Sequence, residues 1–103
     1  FVQNEAELAA KGVDKVVCIS VNDAWVMGAW GEAQGAADIM MLGDGNGEFT
    51  EAMGLTSDKS GAGMGSRSRR YAAIIEDGVI TSLDVEEGGG VDVSSCEVVI
   101  SKL

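Results

Sequence analysis

The sequence predicts an α/β fold in which parallel strands come first and an antiparallel hairpin comes last. Two short runs rich in apolar and β-branched residues, 16–21 and 39–44, are separated by a segment of helical length, which is typical of parallel strands joined by a helix. Later in the chain, the runs 71–77 and 79–87 meet at Asp77-Gly78, a dipeptide characteristic of two-residue hairpin turns. The predicted pairing therefore changes from parallel to antiparallel along the chain.

The first two helices are predicted from the spacing of apolar residues and from the residues that stop or cap them. Gly12 and Gly35 supply stops, and Asn22 and Asp23 precede the second helix as capping residues. Four apolar residues in each helix recur at the spacing of one helical face: Val2, Ala6, Ala9 and Val13 in the first, and Val26, Ala29, Trp30 and Ala33 in the second.

The remaining segments complete the predicted order of elements. Residues 45–54 are a turn and a short helix closed by Gly54, and the polar segment 56–69 is predicted as a long surface loop. Ser94 and Glu97 are spaced as a capping box for a last helix. Two apolar faces are expected: Val79, Thr81, Leu83 and Val85 on the second hairpin strand, and Cys96, Val99, Ile100 and Leu103 on the last helix. The order α-β-α-β-α-β-β-α is the second half of a thioredoxin-like arrangement, which we expect to form a single domain over 1–103.

Composition excludes several classes of function. Seventeen acidic residues against seven basic ones give a net charge of -10, which repels nucleic acid and anionic lipid. No apolar run approaches the roughly eighteen residues of a membrane span and no secretory signal is recognisable, so we expect a cytoplasmic protein without a membrane partner. Because histidine is absent, catalysis must use thiols, carboxylates, hydroxyls or arginine, and neither a cofactor nor a metal is expected.

One acidic turn has a pattern that could be taken for a calcium loop. Asp44, Asn46 and Glu48 alternate like the first ligands of an EF-hand. Phe49 stands where that loop needs glycine, and Leu55 stands where it needs a bidentate glutamate. We therefore interpret the segment as a turn and a helix cap.

All three arginines of the chain lie within four residues, in the stretch GSRSRRYAAII that leads into the first hairpin strand. A run of basic residues usually forms a solvated surface cluster, here with carboxylates available for ion pairs. We keep that interpretation for Arg67 and Arg69. Arg70, directly before the aromatic Tyr71, has a second interpretation that comes from a resemblance.

Four blocks of the sequence resemble the type II peroxiredoxins, also called the peroxiredoxin-five class, over nearly the whole chain: KGVDKVVCISVNDAWVMGAWG, LGDGNGEFTEAMGL, SGAGMGSRSRRYAAIIEDGVI and VEEGGGVDVSSCEVVISKL. Members of this family are thiol peroxidases with a thioredoxin fold. The resemblance implies reduction of hydrogen peroxide, alkyl hydroperoxides and often peroxynitrite by a peroxidatic cysteine, whose sulfenic acid is resolved by a second thiol. It also implies a thiol reductant (thioredoxin, glutaredoxin or glutathione) as partner.

The resemblance assigns roles to individual residues. Arg70 corresponds to the active-site arginine that stabilises the thiolate and orients the peroxide. Cys18 lies where plant members carry a resolving cysteine, although an apolar strand is also an ordinary place for an inert buried thiol. Cys96 is close to the position of the resolving cysteine in animal members but out of register, so we interpret it as core packing.

The chain also departs from the family pattern. The T-x-x-C motif with the peroxidatic cysteine is absent, as is the strand that in the family lies between the runs 16–21 and 71–77. We therefore expect an N-terminally truncated peroxiredoxin fold that is inactive as this chain, and homo-oligomers in which strands of two protomers pair. The alternative is a non-catalytic thioredoxin-like interaction module that oligomerises.

Two further signals leave alternatives open. Trp25, Met27 and Trp30 are interpreted as core or subunit contact, with a binding patch as the alternative. The terminal Ser101-Lys102-Leu103 spells a peroxisomal address, which gives an alternative location in a eukaryote.

Overall fold

The computed structural model describes all residues 1–103. The elements in chain order are α1 (Glu5–Ala10), β1 (Val16–Ser20), α2 (Ala24–Ala33), β2 (Ile39–Gly43), α3 (Glu48–Ala52), β3 (Thr56–Asp58), β4 (Ser66–Ser68), β5 (Tyr71–Glu76), β6 (Val79–Val85) and α4 (Cys96–Ser101). The residues group into two compact units, one of Phe1, 3–12 and 69–103 and one of Val2 and 13–68. None of the helices is both long and apolar enough to span a bilayer.

The unit of residues 13–68 is built on the parallel pair β1–β2, as predicted from the two apolar runs. Register partners run from Val16 and Ile39 to Ser20 and Gly43. Helix α2 packs against β2, and at the end of that strand Gly43 passes so close to the chain entering α2 that a Cβ atom there would lie 2.7 Å from the carbonyl oxygen of Asn22. A glycine is therefore required at this crossing.

Helix α2 has the predicted cap but a different buried face. The backbone N–H of Val26 donates to Oδ1 of Asp23 over 2.8 Å, so Asp23 caps the helix as expected. Its buried residues are Met27 and Gly31, however, whereas the predicted stripe at Val26, Ala29, Trp30 and Ala33 is exposed. That prediction was wrong because nine of the ten residues of AWVMGAWGEA are uncharged and small or apolar, so spacing alone does not select a face.

The first helix ends earlier than the apolar spacing predicted. Helix α1 stops at Ala10, so Val13 lies beyond it, and Val2, Ala6 and Ala9 are exposed. Its buried residue is Leu8, which is 2% exposed. A leucine buries far more apolar area than an alanine, and in a helix of six residues one large side chain decides the orientation.

The segment 56–69, expected as an irregular loop, contains a short antiparallel hairpin. Strands β3 and β4 pair with Thr56 opposite Ser68 and Asp58 opposite Ser66. The sequence did not predict these strands because their side chains are polar and show no alternation of apolar and polar residues. The reversal between them uses left-handed backbone at Gly63 and Gly65, which glycine adopts without strain.

The unit that contains residues 69–103 is built on the predicted hairpin β5–β6, with Asp77 and Gly78 both at positive φ in its turn. A bulge interrupts the pairing, because Ile74 is opposite Ser82 while Ile75 is opposite Ile80. Thr81 is thus an extra residue on β6, and the expected common face of Val79, Thr81, Leu83 and Val85 was wrong, since an extra residue transfers the following side chains to the other face.

Helix α4 closes this unit with the predicted apolar stripe. Cys96 and Val99 are buried, and Ile100 and Leu103 are half-buried. The cap is one residue later than predicted, because Ser95 accepts the backbone N–H of Val98 through its side chain. The expected capping box was wrong because the Ser94 hydroxyl binds Glu86 instead.

Candidate functional site

Arg70 lies directly before β5 and is held through its main chain. Its carbonyl oxygen accepts the backbone N–H of Glu86 over 2.9 Å. Its side chain is exposed and donates no hydrogen bond within the chain. The guanidinium is therefore available to a ligand.

The other two arginines have partners within the chain. Arg67 donates from Nε to the Met64 carbonyl over 2.9 Å, and from Nη1 to the Val21 carbonyl and the Asn22 side-chain oxygen over 2.8 and 3.3 Å. Arg69 donates from Nη2 to the Glu86 carbonyl over 2.9 Å. The expectation of a solvated cluster was wrong for Arg67, since its rigid fork of donors binds backbone carbonyl groups rather than surface carboxylates.

Glu86 was not predicted from the sequence as a site residue, although it is 6% exposed and one of its carboxylate oxygens is hydrogen-bonded within the chain. Its Oε2 atom accepts the Ser94 hydroxyl over 2.6 Å and the backbone N–H groups of Asp92 and Ser94 over 2.6 and 2.9 Å. These bonds, the one from the Ser94 hydroxyl above all, lower the pKa of Glu86 to about 2. The sole sequence signal for this role is a pair of acidic residues, Glu86 and Glu87, at a strand end before three glycines.

Cys18 lies in the middle of β1 and is half-buried. It is the register partner of Met41, whose side chain is next to Gly31 of α2, so the thiol and Met41 share the face of the pair that α2 covers. Burial raises the pKa of the Cys18 thiol. The thiol is thus protonated at neutral pH, which fits a core residue or a resolving thiol better than a primary nucleophile.

Cys96 is 6% exposed on the inner face of α4, in agreement with its interpretation as core packing. The two site residues that the sequence predicts lie in different units, Cys18 in that of residues 13–68 and Arg70 in that of residues 69–103. Arg70 shares its unit with Arg69 and Glu86, and these three residues form the candidate site that the structure brings together.

The acidic turn after β2 has the predicted structural role. Asp44 accepts the hydroxyl of Thr50 over 2.7 Å and the backbone N–H groups of Thr50 and Phe49 over 2.9 and 3.2 Å. These contacts, led by the Thr50 hydroxyl, lower the pKa of Asp44 and fix the start of α3. The chain contains no group of three or more acidic, cysteine or histidine side chains arranged to hold a metal ion.

Met27 and the two tryptophans of α2 lie in two different environments. Met27 is buried at 1% exposure, while Trp25 is 84% and Trp30 48% exposed. Met27 is therefore core, and the two tryptophans are surface residues open to a contact.

Comparison with known proteins identifies the family. Residues 1–100 match the family model described as Redoxin. The chloroplastic peroxiredoxin-2E-2 of Oryza sativa subsp. japonica is 49% identical over 107 residues, which cover 100% of this chain and 48% of that protein. Peroxiredoxin-2B of Arabidopsis thaliana is 40% identical over 104 residues, which cover 100% of this chain and 64% of that protein. The chain thus spans about half the length of the first of these relatives and less than two thirds of the second.

The solved structures that resemble this chain agree with the family found from the sequence comparison. Reduced Prx3 from Vibrio vulnificus in complex with H2O2 superposes with a TM-score of 0.95 at 50% identity, covering 99% of this chain and 66% of that one. The predicted α/β, thioredoxin-like peroxiredoxin fold, with parallel strands and an antiparallel hairpin, is thereby confirmed. The chain belongs to the Redoxin family, and its relatives within that family are peroxiredoxins.

Proposed function

We propose that this chain supplies the active-site arginine of a thiol-dependent peroxidase of the type II, peroxiredoxin-five class, which reduces hydrogen peroxide and alkyl hydroperoxides. The observation that carries the proposal is the free guanidinium of Arg70, directly before β5. The Vibrio vulnificus relative, 50% identical, is a peroxiredoxin in complex with H2O2. That peroxide class is the substrate we assign here.

Arginine suits this role because its guanidinium stays protonated at all relevant pH values and offers several donors in one plane. In the proposed reaction a cysteine thiolate attacks one peroxide oxygen, the O–O bond breaks, and the products are a sulfenic acid and water or an alcohol after protonation. Arg70 would stabilise the thiolate before attack and hold the peroxide oxygen that leaves with negative charge.

The attacking thiolate is assigned to neither cysteine of this chain. Burial raises the pKa of the Cys18 thiol, and Cys96 is buried on α4, so neither is assigned as the primary nucleophile. Cys18 is proposed as the resolving thiol, which attacks the sulfenic acid sulfur, forms a disulfide and releases water. Thioredoxin, glutaredoxin or glutathione would then reduce that disulfide.

The proposal is tested by hydrogen peroxide consumption in excess dithiothreitol, with Cys18→Ser, Cys96→Ser and Arg70→Ala variants measured in parallel. We expect no turnover above that of the reductant. Turnover that disappears in one cysteine variant would contradict the assignment and identify that thiol as the nucleophile.

The role of Arg70 is tested separately by titrating the chain with hydrogen peroxide and following the arginine Nε–H signals by NMR. We expect the Arg70 signal to move while that of Arg67, which is bonded to Met64, stays in place. Equal shifts of all arginine signals, or none, would reject Arg70 as a peroxide-binding group.

A second candidate function, a non-catalytic module that assembles through strand pairing, is favoured by one observation. Strand β1 has β2 as its one strand neighbour, and Val17, Met40 and Leu42 on this parallel pair are 47, 42 and 41% exposed. Parallel sheets normally have both faces covered. Light scattering at low micromolar concentration tests this candidate, and a clean monomer would eliminate it.

A further inference from the structure

We propose that Glu86 is the positioning residue for Arg70: its main chain fixes the arginine backbone, and its buried carboxylate fixes Glu86 itself. This inference rests on the proposed function of Arg70 as the group that binds peroxide and thiolate. Glu86 does not touch the reacting atoms, so its role is to set the place from which the Arg70 side chain extends.

The first step of the argument is the double main-chain contact. The N–H of Glu86 donates to the Arg70 carbonyl, and the carbonyl of Glu86 accepts Nη2 of Arg69, both over 2.9 Å. The first of these bonds lies one residue beyond the last register pair of the hairpin, Tyr71 with Val85. The backbone of Arg70 is therefore placed by Glu86 at the point where the strand pairing ends.

The second step is the anchoring of Glu86. Residues 87–91 are exposed and include Gly88, Gly89 and Gly90, whose backbone has no preferred conformation of its own. The carboxylate passes over this segment to Asp92 and Ser94, where one oxygen atom collects three donors. Because a buried carboxylate without these donors would be costly, the three bonds form or break together.

The third step connects the anchor to a helix. Ser94, which supplies two of the three donors, precedes Ser95, the N-cap of α4. A chain of contacts thus runs from the start of α4 through Ser94 and Glu86 to the backbone of Arg70. These contacts fix the backbone of Arg70 and leave its guanidinium free. Such preorganisation lowers the entropy cost of binding a ligand in a defined position.

The experiment uses Glu86→Ala and Glu86→Gln, with Glu87→Gln as the matched control because Glu87 is adjacent and exposed. Native-state amide hydrogen exchange is measured at residues 86, 92 and 94, together with the peroxide-dependent shift of the Arg70 Nε–H signal. In Glu86→Ala we expect exchange at residue 86 to rise by about tenfold or more and the Arg70 shift to be lost. Glu86→Gln, which keeps an acceptor oxygen, should recover part of both, and Glu87→Gln should match the unchanged chain.

The proposal is overturned if exchange rises at residues 92 and 94 alone while residue 86 and the Arg70 signal behave as in the unchanged chain, since the carboxylate would then only tie down the loop. If Glu86→Ala does not fold, Glu86→Gln decides by the same two readouts. Failure of the proposed function gives a different result. In that case the Arg70 signal of the unchanged chain does not shift with peroxide, whereas hydrogen exchange at residue 86 in the variants still tests the role of Glu86.

Discussion

Arg67 and Arg70 are three positions apart and carry the same side chain, yet they belong to different regions with opposite use of the charge. In β4, Arg67 is half-buried, and its Nε and Nη1 donate hydrogen bonds to the carbonyl groups of Met64 and Val21. Before β5, Arg70 is exposed and keeps its guanidinium free. The comparison teaches that neighbouring arginines in a basic run can have different roles. A guanidinium forms hydrogen bonds within the chain only where backbone carbonyl groups lie within its reach.

The largest expected effect is on the free energy of unfolding when Arg67 is removed. Hydrogen bonds from charged donors contribute about 1.5–3 kcal/mol, so we expect Arg67→Ala to destabilise the unit of residues 13–68 by an amount in that range. Arg70→Ala should change stability by less than about 0.5 kcal/mol, as is usual for exposed side chains without partners. Urea unfolding followed by the fluorescence of Trp25 and Trp30, both in the unit that holds Arg67, measures the difference.

Arg67→Lys is the control for charge. A lysine ammonium keeps the charge but lacks the planar fork that binds two carbonyl groups, so we expect it to recover less than half of the loss. Equal destabilisation by Arg67→Ala and Arg70→Ala would break the comparison, because both arginines would then stabilise the fold to the same extent.

The same contrast explains how much of the molecule the sequence could predict. The parallel pair, the hairpin turn at Asp77-Gly78 and the stripe of α4 follow from local patterns and were predicted correctly. The hairpin β3–β4 was not, because its strands consist of polar residues held by backbone pairing. Glu86 escaped notice because its three donors come from residues six and eight positions away, which no helical or strand period connects.

The second prediction concerns acid. Because the pKa of Glu86 is about 2 in the folded chain and an ordinary glutamate has a pKa of about 4.3, the folded state holds this proton less tightly than the unfolded state. The stabilisation is therefore complete above the unfolded pKa and is lost as the pH falls from about 5 towards 2. We expect Glu86→Gln to reduce this acid sensitivity, measured as the pH dependence of the urea midpoint by circular dichroism.

Asp44 provides the comparison within the other unit. Its pKa is lowered as well, chiefly by the Thr50 hydroxyl, so Asp44→Asn should remove a separate part of the acid sensitivity. We expect the two substitutions to act additively, since each carboxylate binds donors of its own unit. If the pH dependence is unchanged in Glu86→Gln, the hydrogen bonds to Glu86 do not stabilise its charged carboxylate in the folded chain relative to the unfolded chain, and the prediction is wrong.

The third prediction concerns the reactivity of Cys18 and tests whether this thiol is the thiolate that Arg70 would stabilise. Burial raises its pKa, so the thiolate fraction at neutral pH is below that of an ordinary cysteine. We expect alkylation of Cys18 by iodoacetamide, followed by peptide mass spectrometry, to rise at higher pH than alkylation of a free peptide thiol. Faster alkylation than the free peptide at neutral pH would contradict the assignment of Cys18 as a resolving or core thiol.

Among the cations that have a partner within the chain, the smallest effect is expected for one that pairs with a carboxylate at the surface. Lys102 forms an ion pair with Asp84, and both side chains are partly exposed, at 38 and 26%. Exposed pairs of this kind contribute about 0–1 kcal/mol and weaken in salt, so Lys102→Ala should cost less than Arg67→Ala and its effect should fall as salt is added. The loss in Arg67→Ala should persist in salt, because bonds to backbone carbonyl groups depend on geometry more than on long-range charge. If both losses fell equally with salt, Arg67 would be acting as one more cation in a chain of net charge -10 rather than as a fork bonded to the backbone.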